Sequence, residues 1–275
     1  MASGCRGDPT TVMTRLESSW RLTAELRLKF SQAADASNRA VMADTEVAAV
    51  ATAREAEQAT QTVEKHTAEL STLLRSLNYA SETAILEAFA SSFAEYRRLD
   101  RQILALAVEN TNLKARALTF GSASEAADAF ENAVKPLAAA VAGKDRCRAD
   151  GLASEAILAV SKIQVRLSPH IAERDEAKMH ALEAAMDGSY ANARDALTAM
   201  GAMSSPSEPL LSNARTALSH FKAVSDQIVG LSQRNSNVLS LDLSLRQKPA
   251  LIAACNDQLR ALQAELAKEG QQSAR

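Results

Sequence analysis

Side chains able to do chemistry are thinly spread along this chain. The four histidines, His66, His170, His180 and His220, show no HExxH or His-x3-His pairing, and none sits in the Glu-x-x-His pattern of di-iron bundles. Cys5, Cys147 and Cys255 lie far apart without CxxC spacing, so no zinc site is encoded. A Cys147–Cys255 disulfide cannot be read from that spacing, and inert thiols are the expectation. A Gly-x-Ser-x-Gly elbow, a Gly-rich phosphate loop and a nucleophile–base pair are all missing from the sequence. These observations predict a protein without catalytic residues, cofactor or metal. Arg97, Arg98 and Arg101 form the densest cationic cluster, which could grip a carboxylate bidentately through Arg101 or form a solvated face paired with Glu95 and Asp100. With a net charge of −2 and no Lys/Arg run, nucleic-acid binding is not expected.

Polar residues placed inside apolar patterns carry more information. Residues 96–120 read YRRLDRQILALAVENTNLKARALTF, and 221–245 read FKAVSDQIVGLSQRNSNVLSLDLSL. The two stretches share six identities without a gap: Gln102/Gln227, Ile103/Ile228, Leu106/Leu231, Asn110/Asn235, Asn112/Asn237 and Leu118/Leu243. Each carries a seam at alternating steps of three and four, ending at Phe120 and at Leu245, with an Asn in its middle. Such spacing belongs to helices packed as in bundles and coiled coils. A buried Asn must be hydrogen-bonded or it costs about 1–3 kcal/mol. Asn110 and Asn235 therefore either line an interhelical ligand pocket, with Asn112, Asn237, Gln102 and Gln227 nearby, or fix register. Their occurrence in both copies favours register. Asp44 and Thr45 align with Pro169 and His170 at the mid-points of two long helical stretches. Asp44 could face a ligand, or simply sit on a solvated face. Pro169 is expected to break its helix and free backbone carbonyls, which would let His170 bind an anion or a metal; a plain kink with a surface histidine is the simpler reading.

The elements that must carry these residues are helical. Apolar residues make up 47% of the chain, aromatics only 4%, and there are 9 Gly and 6 Pro, too few for a β-rich or α/β fold of this length. From Val12 to Leu77 neither Gly nor Pro occurs, which predicts one helix of ~65 residues and ~100 Å. Asn78–Glu82 is expected to be a loop with Ser81 as N-cap. A second helix is expected from Glu82 to Thr119, stopped at Gly121, and a third to Gly143. In the second half, helices are expected over Leu152–Leu167, Ile171–Met200, Leu210–Leu245 and Ala250–Lys268, with a loop at Ser204–Pro209. The fold class is all-α: an elongated antiparallel helical bundle of two tandem three-helix repeats with long helices. The divisions are a disordered leader (1–10), a first repeat (11–143), a second repeat (144–269) and a disordered tail (270–275).

Asn38–Thr45, and Tyr96-Arg97-Arg98-Leu99-Asp100 leading into Ile103–Ala107, resemble the ligand-sensing four-helix bundle of bacterial methyl-accepting chemotaxis receptors. The doubling is similar to the bimodular helical sensor domains of that superfamily. The resemblance implies an extracytoplasmic, non-catalytic module that binds a small organic acid, an amino acid or a partner protein, and that works as a homodimer. The sequence departs from that family in showing no flanking membrane helices, inward linker or signalling hairpin, so a sensor-like module detached from those segments is the expectation. The alternative from the pattern alone is a structural, oligomerising bundle with no small-molecule ligand. Ala2-Ser3-Gly4-Cys5 fits the end of a lipoprotein signal peptide, which would make Cys5 a lipidation site and tether the protein in the periplasm. No charged or apolar stretch precedes it; if the match is accidental, a cytoplasmic location stays open.

Overall fold

The computed structural model describes residues 9–203 and 207–273. Cys5 and most of the expected leader lie outside the described residues, as do Ser204–Pro206 and the last two positions. The described backbone forms ten α-helices and one short 3-10 turn, with no strand. The helices are α1 (Pro9–Val41), α2 (Glu46–Ser76), α3 (Ala80–Glu109), α4 (Thr111–Phe120), α5 (Ser122–Ala139), α6 (Arg146–Ala172), α7 (Glu176–Gly201), α8 (Glu208–Arg234), α9 (Ser236–Arg246) and α10 (Lys248–Ser273). The all-α expectation holds, but each half contains five helices where three were expected. Described helix reaches into both segments expected as leader and tail. α1 begins at Pro9, a residue whose missing N–H costs nothing in a first turn, and α10 runs through Gly270.

The expected 65-residue helix is in fact the hairpin α1–α2, turning at Met42–Thr45. Thr45 ends the turn: its extended backbone presents the hydroxyl to the amide of Ala48, and Glu46 adds a carboxylate to the first turn of α2. A hydroxyl cap thus reverses the chain without Gly or Pro. In the second half the reversal falls at Glu173–Asp175, where Asp175 accepts from Ala177 N and Lys178 N. Pro169 interrupts nothing: α6 starts at Arg146, earlier than expected, and continues three residues past the proline. α3 starts at Ala80, so Ser81 lies inside its first turn and is not the cap. Asn78, at φ 56°, closes the preceding turn.

The chain divides into two compact units, residues 1–109 with 239–275, and residues 110–238. In the first unit, α1 packs on α2, α2 on α3, α3 on α10, and α10 back on α1. In the second, α6 packs on α7, α7 on α8, α8 on α5, and α5 on α6. Each unit is therefore a four-helix ring of three consecutive helices closed by a fourth from the other half of the sequence. The division into repeats at 143/144 concerns the sequence; the compact units follow a different cut.

Apolar spacing explains the cores. In the first unit Phe30 of α1 meets Phe89, Phe93 and Tyr96 of α3 edge-on, with ring centroids 5.1–6.2 Å apart. Burial of each such ring contributes about 1.5–3 kcal/mol. Further along, Ala36 and Ala40 face Ala53 and Ala56, small side chains that let α1 and α2 approach closely. The second unit has fewer rings: Phe130, Phe221, Leu167, Leu197, Leu211 and Ile228 fill its centre. The three-four seam holds from Tyr96 to Asn110 and from Phe221 to Asn235, then fails. Phe120 and Leu245, expected on it, are 70% and 66% exposed. The cause is the conformation of the two asparagines.

Candidate functional site

Asn110 (φ 54°, ψ 37°) and Asn235 (φ 51°, ψ 34°) are both left-handed and buried. Each stands between the end of one helix and the start of the next, so the three-four pattern does not continue across it. Among side-chain-bearing residues Asn tolerates this region best. The sequence pattern placed both in continuous helices; they are breaks. The amides freed at the starts of α4 and α9 are capped reciprocally. Thr111 N donates to Ser236 Oγ and Ser236 N to Thr111 Oγ1, each at 3.0 Å. Asn112 N donates to Asn237 Oδ1 at 3.1 Å, and Asn237 N to Asn112 Oδ1 at 3.2 Å. The side-chain amides complete the lattice: Asn112 Nδ2 to Asn235 Oδ1 at 2.8 Å and Asn237 Nδ2 to Asn110 Oδ1 at 2.9 Å. Asn112 also donates to Ile171 O, and Asn235 to Glu173 O. Residues 125 positions apart thus exchange caps, which satisfies helix-start donors that would otherwise lack partners.

Next to this lattice, α6 ends with His170 fully buried, not on the surface. Ser232 Oγ lies 3.0 Å from His170 O, to which it can donate, and 2.8 Å from His170 Nδ1, where the donor is set by the ring tautomer. His170 Nε2 lies 2.8 Å from Glu183 Oε1, and a carboxylate can only accept. Nε2 therefore carries a proton and donates to Glu183, which ties the end of α6 to α7. Burial alone pushes the Glu183 carboxyl up, but hydrogen bonds from Gln233, His170 and His180 outweigh it and bring it down to about 2. A cavity of about 160 Å³ adjoins Glu183 among α6, α7 and α8, and Asp187, Lys222, Ser225 and Asp226 supply its other polar groups. Lys222 Nζ stands 2.5 Å from Asp226 and 3.9 Å from Asp187. The Ser225 hydroxyl is buried with no hydrogen-bond partner among the described residues.

The first unit buries charge differently. Lys248 Nζ lies 3.0 Å from Asp100 Oδ1, and both side chains are excluded from water. Ser37 Oγ donates to the same carboxylate oxygen at 2.6 Å, and Lys248 also donates to Ser37 and to Asn38 Oδ1. Burial lowers the Lys248 pKa, opposed by the Asp100 charge. The second Asp100 oxygen and the Tyr96 hydroxyl have no hydrogen-bond partner among the described residues, and burial, then the Asp100 charge, pushes the tyrosine pKa far up. Of the Arg cluster it is Arg97 that is buried. It holds Glu57 with both terminal nitrogens and Glu64 at 3.2 Å, and its hydrogen bonds draw the Glu57 carboxyl down.

The structure brings Asn110, Asn112, Asn235 and Asn237 together, with His170 near in the same unit. Arg101 and Gln102 are exposed on α3 of the first unit, and Asp44 is exposed in the α1–α2 turn. Cys147 and Cys255 are free thiols, one exposed and one buried; burial pushes the Cys255 thiol up to about 12. Sequence reasoning missed Lys248, Glu183, Ser225 and Ser232, single polar residues that no local pattern marks. Among the described residues no group of three or more His, Cys, Asp or Glu is placed to hold a metal. Likewise, no described helix is long and apolar enough to cross a membrane.

No protein-family model matches the chain, and no curated protein sequence matches it. Solved structures do. A chain of the crystal structure of the TorS sensor domain–TorT complex in the presence of TMAO aligns with a TM-score of 0.50, over 93% of this chain and 99% of that one, at 13% identity. The aligned chain is the sensor domain. At that identity the likeness is one of fold. It reaches the helical fold of that domain and does not single out the chemotaxis-receptor type.

Proposed function

We propose that this chain is a non-catalytic, sensor-type helical module, extracytoplasmic in location, that recognises a small solute or a partner protein by binding it. The observation carrying the reading is the fold, shared almost end to end with a sensor domain crystallised in complex with a protein and in the presence of a small solute. The mechanism is differential binding: a ligand that fits one helix arrangement better shifts the population toward it. On this reading the four asparagines serve register, since their donors and acceptors serve one another, and the solute meets the polar interruptions of the second unit near His170. The chemotaxis-receptor relationship, a homodimer and a lipid anchor at Cys5 belong to the same proposal. The tandem repeat would be an ancestral duplication whose halves exchanged their closing helices.

Thermal-shift screening of the full chain tests it, with panels of small organic acids, amino acids and amines. At least one class should raise the melting temperature saturably and be recovered unchanged. Absence of any shift across all three panels would remove the solute reading, and turnover of a bound compound would remove the non-catalytic one.

A further inference from the structure

We infer that the cavity among α6, α7 and α8 binds a small organic ammonium ion. The inference rests on the sensor reading and narrows it to one site and one charge class. Three carboxylates, Glu183, Asp187 and Asp226, border the cavity, and the single lysine there, Lys222, is already shared by two of them. A carboxylate ligand would meet repulsion from every side except one occupied cation. An ammonium group meets attraction, and its N–H donors match the acceptors present: Ser225 Oγ and the oxygens of Asp187 and Asp226. Ser225 is the independent sign of a ligand. Its side chain is only 4% exposed, it borders the cavity, and its hydroxyl has no partner. A buried hydroxyl left unpaired destabilises the free protein, and a donor entering the cavity would relieve it. Ile163, Met186 and Val229 form the apolar wall against which a short alkyl chain would lie. The volume of about 160 Å³ holds about five water-sized groups, so the ligand is a compact amine and not a bulky one.

The other half of the chain supplies an internal comparison. By the 125-residue offset that relates the reciprocal caps, Ser225 corresponds to Asp100 and Ala123 to Lys248. In the first unit an ammonium group, that of Lys248, sits against residue 100 and donates to Asp100 and Ser37. In the second unit the matching position is alanine and contributes no ammonium, while the residue matching Asp100 keeps an unpaired oxygen.

The test is calorimetric titration of the full chain with n-butylammonium chloride, and with sodium butyrate as the charge-reversed probe. Butylammonium should bind one saturable site and butyrate should not. Ser225→Ala should weaken butylammonium about five- to tenfold, the ratio carried by one hydrogen bond of ordinary strength. Met186→Trp, which fills the cavity, should abolish binding. Should that variant fail to fold, Asp226→Asn at the rim should also weaken binding and keeps the test decisive. No saturable butylammonium binding, equal binding of butyrate, or affinity unchanged in these variants would overturn the assignment. A different solute that binds wild type and Ser225→Ala alike would overturn this site and leave the sensor reading standing.

Discussion

Replacing Lys248 by methionine isolates the cost of one buried charge. The ammonium donates to Asp100, Ser37 and Asn38 where neither ion reaches water. Methionine keeps most of the volume and leaves the Asp100 carboxylate without its cation. Removing one partner of a buried pair costs about 3–5 kcal/mol, because the other charge stays buried and uncompensated. At roughly 2–4 °C per kcal/mol for a chain of this size, the melting temperature should fall by ~6–20 °C. The double variant Lys248→Met/Asp100→Leu removes both charges and should recover to within about 1 kcal/mol of wild type, or exceed it. Urea titration read by tryptophan fluorescence is the assay. Trp20 is the only tryptophan and lies on α1 of the first unit, so the signal reports the unit that holds the pair. A loss below about 1 kcal/mol in the single variant, or a double variant no better than Lys248→Met, would refute the reasoning.

Other outcomes follow from the same contacts. Glu183, whose carboxyl is held near 2 in the fold, contributes stability that is full above its ordinary value of 4.5 and is lost as pH falls from there toward 2; acid titration should show about 2–3 kcal/mol of such loss in wild type, absent in Glu183→Gln. Asn110→Ala should cost about 2–3 kcal/mol, combining left-handed strain with the lost bond from Asn237, whereas Asn110→Gly should cost only about 1 kcal/mol; equal losses in urea titration would contradict the account of this break. A thiol reagent at neutral pH should label exposed Cys147 and spare buried Cys255 until the chain is denatured; mass spectrometry reads the ratio.

The all-helical class was legible because it follows from composition and period, which are summed over many residues. The repeat was legible because Asn-Thr-Asn and Asn-Ser-Asn recur at one offset inside similar seams. The turns were harder to read. The 42–45 reversal depends on a single hydroxyl cap, and the propensities of Met42, Ala43 and Asp44 do not forbid a helix. The left-handed breaks at Asn110 and Asn235 look like ordinary seam positions until their capping partners, 125 residues away, are known. For the site, sequence pointed to His170 but placed it on the surface; Glu183 and Ser232, which hold it, lie on two other helices. Lys248 reads as an exposed turn residue from its neighbours and is buried because α10 closes the first ring. Such pairings are set by tertiary packing, which no local window records.

Titration of the full chain with the solute panel, followed by recovery of the bound compound, bears most directly on the proposal that this fold recognises without reacting. Saturable binding of a small ammonium compound, returned chemically intact and weakened by Ser225→Ala, is the expected result. Conversion of the compound, or no binding by any member of the panel, would contradict it.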